Sequence, residues 1–417
     1  MTGPDTAWSP TAFISYQTAD ASTAELLHEE LALHGLSVIH DRCSFPTSER
    51  VLDNMADAVE ACDVFIAYVT PSYLYEGTPS GALRPAIDNE FKPAVAKRRR
   101  PGCATSAGKR RPVLLAFAHG LGDPRTVAQD RIRAATTENM SSLWLPFTLD
   151  QSTPGMTPAE ASRVAREALR SVLDPSAPIE EVSWPIDLSL VTRGTGFRHG
   201  LLSIDGTSLF GGPTNRSGES ANWSRLLVAL RDVEAVISKW PEQRELRLLA
   251  RCHLSAAVAF GRVFNQAAGW RLAVQGRGGE VRRAVGIYDH ALVIEKDTIS
   301  SRGDLSVEID LLGHPVFDMA TEALASRVVG ERLQMRRRGS GEIPPEGVPA
   351  LAANAAQTLR ERISALRPSL IHIFCSSPVE FAVFLGHELT SLHADLQLYE
   401  RDGARYAESL TIPAATP

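Results

Sequence analysis

No uninterrupted apolar run in this sequence approaches the roughly 18 residues that a membrane-crossing helix requires. Met1 to Pro10 offers neither the basic nor the apolar segment of an export leader. Neither a membrane span nor secretion is expected, and the expected compartment is the cytoplasm. Cysteine is sparse: the five present, Cys43, Cys62, Cys103, Cys252 and Cys375, lie far apart with no CxxC pair. That spacing excludes a disulfide-stapled secreted fold and a CxxC zinc site, and it agrees with a reducing compartment. An excess of one charge is missing as well. With 43 Lys and Arg against 49 Asp and Glu, the net charge is -6 and the signs are interspersed. No global positive field gathers long nucleic acid, so any anionic ligand must be held by a local pocket.

Several catalytic signatures are also absent. No G-x-x-x-x-G-K-[ST] run cradles a triphosphate and no G-x-S-x-G elbow positions a nucleophilic serine, which removes ATPase and serine-hydrolase readings. His387-Glu388 is followed by His393, whereas HExxH chemistry needs a histidine where Ser391 stands, so no metal is expected. Gly194, Gly196 and Gly200 miss the dinucleotide fingerprint by one residue and follow no apolar strand of the right type. A loop is expected there.

What is present is enough apolar material, 44% of 417 residues, for two buried cores. The first 173 residues alternate strand and helix. Strands are expected at Thr11–Tyr16, Leu36–His40, Val64–Val69, Val113–Phe117 and Leu143–Phe147. Helices are expected at Thr23–His34, Val51–Ala61, Pro85–Ala96 and Pro158–Leu173. Val64–Val69 is apolar throughout, the mark of a parallel strand covered on both faces. The alternation predicts a doubly wound parallel sheet. The basic stretch Lys97–Arg111 reads as a solvated loop. On the helix at 85–96, Ile87, Phe91, Ala94 and Val95 form the apolar stripe and Glu90 stands at its border, suited either to a cleft or to open solvent. Pro93 removes a backbone donor and frees the carbonyl of Asn89, so a kink beside Glu90 is expected.

Asp174–Pro185 holds three prolines and no apolar period, which places a boundary there. Beyond it, Ala257–Gly276 aligns without gaps on Ala382–Arg401: Ala257, Val258 and Gly261 match Ala382, Val383 and Gly386. Each helix leads into a strand, at Trp270–Gln275 and Asp395–Glu400. The strand Leu305–Leu312 runs through Gly313, His314 and Pro315 into a helix. Leu370–Cys375 does the same through Ser376, Ser377 and Pro378 into Val379–Leu389. Such junctions present backbone N–H groups and the positive end of a helix dipole, fit for phosphate. Ser376 and Ser377 could equally serve as helix caps.

The run AFISY at Ala12–Tyr16, the acidic Asp41 ending the second strand, Ala61-Cys62-Asp63, the buried strand at 64–69 and Pro71-Ser72-Tyr73 together resemble a TIR domain. That resemblance implies a flavodoxin-like parallel sheet and, in the enzymatic branch, NAD cleavage requiring the carboxylate of Glu90. It further implies dinucleotide binding by Ser15, Asp41 and Arg42, with Phe45 stacking on a ring or packing. One departure is plain: enzymatic members often carry Trp or Cys one turn before the glutamate, where this chain reads Ala86-Ile87-Asp88-Asn89.

The strand, SSP turn and Ala-Val-then-Gly helix over Ile371–Gly386, with the strand at Leu396–Glu400, resemble a SAVED domain. This implies two fused CARF-like, Rossmann-type halves that recognise a cyclic oligonucleotide in CBASS antiphage defence. The expected organisation is a TIR domain at 8–174, a linker at 175–183 and a SAVED domain at 184–412, with halves at about 184–300 and 301–412. The combined resemblance implies a cyclic-oligonucleotide-activated NAD glycohydrolase that assembles with itself into filaments. NAD is then the substrate, no cofactor is needed, and the activator is of the cyclic tri-adenylate type. Candidate activator contacts are Ser376, Ser377 and His314 at the turns, Lys296 and Arg262 for phosphates, and Trp270 for base stacking. Arg262 and Trp270 also read as an ordinary solvated charge and a core aromatic. Two other readings stay open: a non-enzymatic TIR scaffold assembled by the sensor half, and a sensor half that degrades its own cyclic ligand.

Overall fold

In this computed structural model the described residues are 9–40, 51–75, 90–99, 113–118, 149–150, 155–173, 185–194, 200–210, 219–240, 244–275, 281–283, 292–300, 303–338, 343–344, 347–390 and 392–414. The chain divides into two compact units, residues 1–179 with 200–204, and residues 180–199 with 205–417. No helix among the described residues is long and apolar enough to cross a membrane.

In the first unit, β1 (Thr11–Ser15), β2 (Ser37–Ile39), β3 (Val64–Val69) and β4 (Val113–Ala118) form a parallel sheet in the order β2-β1-β3-β4. Its described helices are α1 (Ala21–Leu33), α2 (Val51–Ala61), α3 (Pro71–Tyr75), α4 (Lys92–Arg99) and α5 (Pro158–Val172). Every residue of β3 is buried, as an all-apolar central strand requires. Gly35, at φ +85°, ends α1 in the left-handed conformation that an L side chain resists. The sequence Thr157-Pro158-Ala159-Glu160 starts α5 with a reciprocal cap. The Glu160 N–H donates to Thr157 Oγ1 at 3.3 Å and the Thr157 N–H to Glu160 Oε2 at 2.9 Å, with Pro158 in the first turn, where no donor is missed.

The helix expected at 85–96 takes a different form. Glu90 and Phe91 lie in a wider, π-type turn and regular helix follows from Lys92. Pro93 has no N–H to give a carbonyl four residues back, and a wider turn accommodates that missing bond. Residues 85–89, the loop 41–50, the strand expected at 143–147, the boundary segment 174–184 and most of the basic stretch at 97–111 lie outside the described residues.

The second unit contains two sheets. The first holds β5 (Ile186–Val191), β7 (Glu245–Arg251), β8 (Arg271–Gln275) and β9 (Val281–Arg283) in the order β5-β7-β8-β9, with helices α6 (Ser220–Ile237) and α7 (Leu254–Val263), while β6 (Leu202–Asp205) falls almost wholly within residues 200–204 of the first unit. The other holds β10 (Leu292–Thr298), β11 (Asp304–Asp310), β12 (Val329–Arg337), β13 (Leu370–Ser376), β14 (Asp395–Asp402) and β15 (Arg405–Ile412) in the order β10-β12-β11-β13-β14-β15. Its helices are α8 (Val316–Ala323), α9 (Gly347–Leu366) and α10 (Val379–Glu388).

The two sheets follow one plan. In each, a first strand pairs in parallel with a second, the second with a third, and the third antiparallel with a hairpin partner. β13 begins 125 residues after β7 (370 against 245), α10 begins 125 residues after α7 (379 against 254), and each pair has equal length. The duplication thus extends one strand further towards the N-terminus than the aligned helices suggest. One correction follows: β10, assigned by the sequence to the first half, pairs antiparallel with β12 as an edge strand of the other sheet.

The two halves meet helix to helix. A side chain at Gly261 would run into the carbonyl of Val383, and one at Gly386 into the carbonyl of Val258, so α7 and α10 touch backbone to backbone about a local twofold. The ends of both helices are exchanged in the same way. The Arg262 guanidinium donates to the carbonyl of Leu389, and His387 Nδ1–H donates to the carbonyl of Phe264 at 2.7 Å. Each donor thus satisfies a carbonyl that the other helix leaves open at its C-terminus.

Candidate functional site

In the first unit the chain passes from β1 to β2 on one side and to β3 on the other, which opens a crevice at the carboxyl ends of β1 and β3. Ser15 ends β1 and is fully buried. Its Oγ lies 2.9 Å from the Tyr73 hydroxyl, carried by α3 just after β3. The Thr70 hydroxyl accepts the Tyr73 N–H at 3.2 Å and donates to Asp20 Oδ2 at 2.7 Å, while Ser72 Oγ donates to the same oxygen at 3.3 Å. These bonds start the short helix and fix the tyrosine.

Glu90 is 7% exposed. Phe91 beside it packs edge-on against Phe65 of β3, with ring centroids 6.0 Å apart, and this contact anchors the π-type turn on the sheet. The solvent-facing alternative for Glu90 is thereby excluded. Burial pushes the Tyr73 hydroxyl far above its usual pKa, the Glu90 charge pushes it further, and the bond with Ser15 opposes both. Tyr73 therefore stays protonated. The crevice offers one carboxylate and two coupled hydroxyls, a set able to hold sugar hydroxyls and to stabilise positive charge. Asp41, Arg42 and Phe45 lie outside the described residues. Among the described residues no group of three or more His, Cys, Asp or Glu could hold a metal ion.

In the second unit each sheet has an adjacent parallel pair whose carboxyl ends form a crevice, between β5 and β7 and between β11 and β13. Ser376 and Ser377 are both buried at the second crevice, where the N-terminus of α10 carries no side-chain cap. Ser377 Oγ meets Cys375 Sγ at 3.1 Å and donates to the Pro378 carbonyl at 3.1 Å, so it does not cap an N–H of α10. The adjacent turn is already occupied by an internal anion. Asp310 Oδ1 accepts the N–H groups of Leu312, Gly313 and His314 at 3.1, 2.8 and 3.0 Å, leaving only the exposed His314 side chain available.

Three expected contacts are corrected. Trp270 is 1% exposed and donates its Nε1–H to Glu234 Oε1 at 3.0 Å; it precedes β8 at the opposite edge of the sheet and is a core residue. Arg262 is spent on the Leu389 carbonyl at the far end of α7 from the crevice. Lys296 is exposed on β10, two strands from β11, and is not brought to the turns.

Other crevice residues went unmarked in the sequence. Arg193 follows β5 and Arg251 ends β7, so both flank the first crevice. Arg193 Nη2 lies 3.2 Å from Glu400 Oε2. Glu400, on β14 of the other half, also accepts the Ser255 N–H at 2.6 Å. Extending the internal alignment upstream by one strand would have found Arg251, which stands 125 residues before Ser376.

Residues 229–412 match the family described as "SMODS-associated and fused to various effectors sensor domain" (SAVED), and residues 12–105 match the TIR domain family. No curated protein sequence matches the chain. Among solved structures, the chain is similar to an Acinetobacter baumannii Cap4 SAVED/CARF-domain containing receptor with the cyclic trinucleotide 3'3'3'-cAAA, at 15% identity, 94% coverage of this chain, 98% of that chain and a TM-score of 0.49. The Moraxella osloensis Cap4 SAVED/CARF-domain containing receptor is similar at 14% identity, with 94% and 98% coverage and a TM-score of 0.43. The chain joins a TIR domain, at residues 12–105, to a SAVED sensor domain, at residues 229–412.

Proposed function

We propose that this chain is an antiphage effector of the CBASS type, in which a cyclic oligonucleotide bound by the SAVED domain activates NAD cleavage by the TIR domain. The observation that carries the reading is the buried carboxylate of Glu90, whose charge raises the pKa of Tyr73, the partner of Ser15 at the switch point of a parallel sheet. Cleaving NAD between nicotinamide and ribose needs no general acid, because the cationic leaving group departs neutral with the bonding electron pair. Positive charge then builds on the ribose. Glu90 stabilises that charge, the buried Ser15–Tyr73 pair fixes the wall of the crevice behind it, and water attacks the anomeric carbon and releases a proton. Asp41, Arg42 and Phe45 complete the dinucleotide contacts in this reading.

On the sensor side, Ser376, Ser377 and His314 face an activator of the cyclic tri-adenylate class. Its binding drives head-to-tail self-assembly into filaments that complete the TIR site. The test is nicotinamide release by the purified chain with NAD, alone and with cyclic di-, tri- and tetranucleotides. Release with one cyclic nucleotide only is expected. Ligand-induced assembly without release would favour the scaffold reading, which the Ala86–Asn89 departure also favours.

A further inference from the structure

The crevice between β5 and β7 carries positive charge that its counterpart lacks. The N–H groups of Thr192 and Arg193 donate to the Arg251 carbonyl at 3.2 and 3.3 Å, which places the main chains of the two arginines side by side at the mouth of the crevice. Gly194, at φ +84°, lies against the Arg251 guanidinium, where an added Cβ would stand 3.0 Å from Cζ. Arg251 is exposed, and its guanidinium makes no hydrogen bond or ion pair with a described residue. Arg193 is paired with the buried Glu400 carboxylate, whereas Arg251 shares no ion pair with it.

The equivalent turn of the other half is Leu311-Leu312-Gly313, with Gly313 at φ +77°, and its charged group is the acidic Asp310. Ser376 stands in the position of Arg251. The duplication has therefore kept the backbone and inverted the charge, which makes the sensor one-sided towards anions.

We propose that Arg193 and Arg251 hold a phosphodiester of the cyclic oligonucleotide, and that Glu400 competes with that phosphodiester for Arg193. The proposal rests on the reading of the SAVED domain as a cyclic-oligonucleotide sensor. A guanidinium presents paired N–H donors that fit two phosphate oxygens, and two adjacent guanidiniums cover one phosphodiester from both sides. Glu400 is 3% exposed and would be costly to strand. It is not stranded when Arg193 turns away, because the N–H groups of Leu254 and Ser255 at the start of α7 continue to hold it. Before ligand arrives, Glu400 keeps Arg193 in place. Once a phosphodiester occupies the crevice, Arg193 exchanges a buried partner in one half for a ligand that bridges both.

The experiment is calorimetric titration of the full chain with cyclic di-, tri- and tetra-adenylate at two salt concentrations. For the probe that binds, Arg251→Ala and Arg193→Ala are expected to weaken affinity by about tenfold or more and to flatten its salt dependence. Arg271→Ala, at the amino end of β8, should leave affinity unchanged. Glu400→Gln, which removes the competing charge but keeps an acceptor for the Ser255 N–H, should tighten binding several-fold. Arginine variants that bind within twofold of the parent overturn the phosphodiester site. A Glu400→Gln variant with normal thermal stability and unchanged or weaker affinity overturns the competition. A parent chain that binds none of the probes removes the sensor reading, and the proposal with it.

Discussion

Gly261 lies directly against the main-chain carbonyl of Val383, with no room for a single methyl group. Gly386 stands in the same relation to Val258, so the sensor halves are joined at two points where only hydrogen fits. Gly261→Ala and Gly386→Ala should each force α7 and α10 apart and cost about 1–3 kcal/mol or more, the usual penalty of overpacking. The combined variant should cost less than the sum, since separating the helices once relieves both clashes. Urea denaturation followed by circular dichroism measures this. Unchanged midpoints for both single variants would show that the helices are not in backbone contact.

Glu90→Gln preserves shape and removes charge from the first-unit crevice. Loss of nicotinamide release by at least about a hundredfold is expected, the scale on which one electrostatic group acts in a transition state. Binding of the cyclic nucleotide should be untouched. Full activity in this variant would take Glu90 out of the chemistry.

Ser15 and Tyr73 form a buried hydroxyl pair, 2.9 Å apart, so removing either partner strands the other. Ser15→Ala and Tyr73→Phe should each cost about 1 kcal/mol or somewhat more, and the double variant little beyond one of them. A double-mutant cycle on unfolding free energy reads the coupling directly. Additive costs would mean that the two hydroxyls do not depend on one another.

His387 introduces an acid sensitivity. Burial holds its imidazole below the ordinary histidine pKa, more strongly than the Phe264 carbonyl and the Glu388 charge raise it. The unfolded chain therefore takes up this proton first. The stability contribution is complete above about pH 6.5, the value of a free imidazole, and is lost as pH falls through that value towards the lower folded pKa. Urea melts at about pH 7.5 and pH 5.5 should show a smaller acid loss for His387→Gln, whose amide can still donate to Phe264, than for the parent. Equal losses would show that His387 is not the titrating group.

The sequence read best where one period dominates. The all-apolar Val64–Val69 strand and the Val51–Ala61 helix stand at the expected boundaries, and the Ala-Val-Gly match pointed to the two helices that later proved to touch. It read poorly where the answer depends on what lies across space. Trp270 and Arg262 have the chemistry of ligand contacts, yet one fills a core and the other closes a helix end from a distant segment. Tyr73 looked like a structural landmark, because nothing local shows that its hydroxyl meets Ser15, 58 residues away. Arg193 and Glu400, more than 200 residues apart, could be paired only after the two halves were folded together.

The mirrored architecture of the sensor has an unequal optical consequence. All six tryptophans of the chain lie at or before Trp270, so residues 303–412, with β11 to β15, contain none. Trp223 and Trp270 are buried in the first half, Trp223 against Phe210 with ring centroids 4.4 Å apart and Trp270 edge-on to Phe264 at 5.4 Å. Within the SAVED fold, indole emission therefore reports from one twin while the other is dark, and a spectroscopist can follow the loosening of the first half by itself without attaching a label.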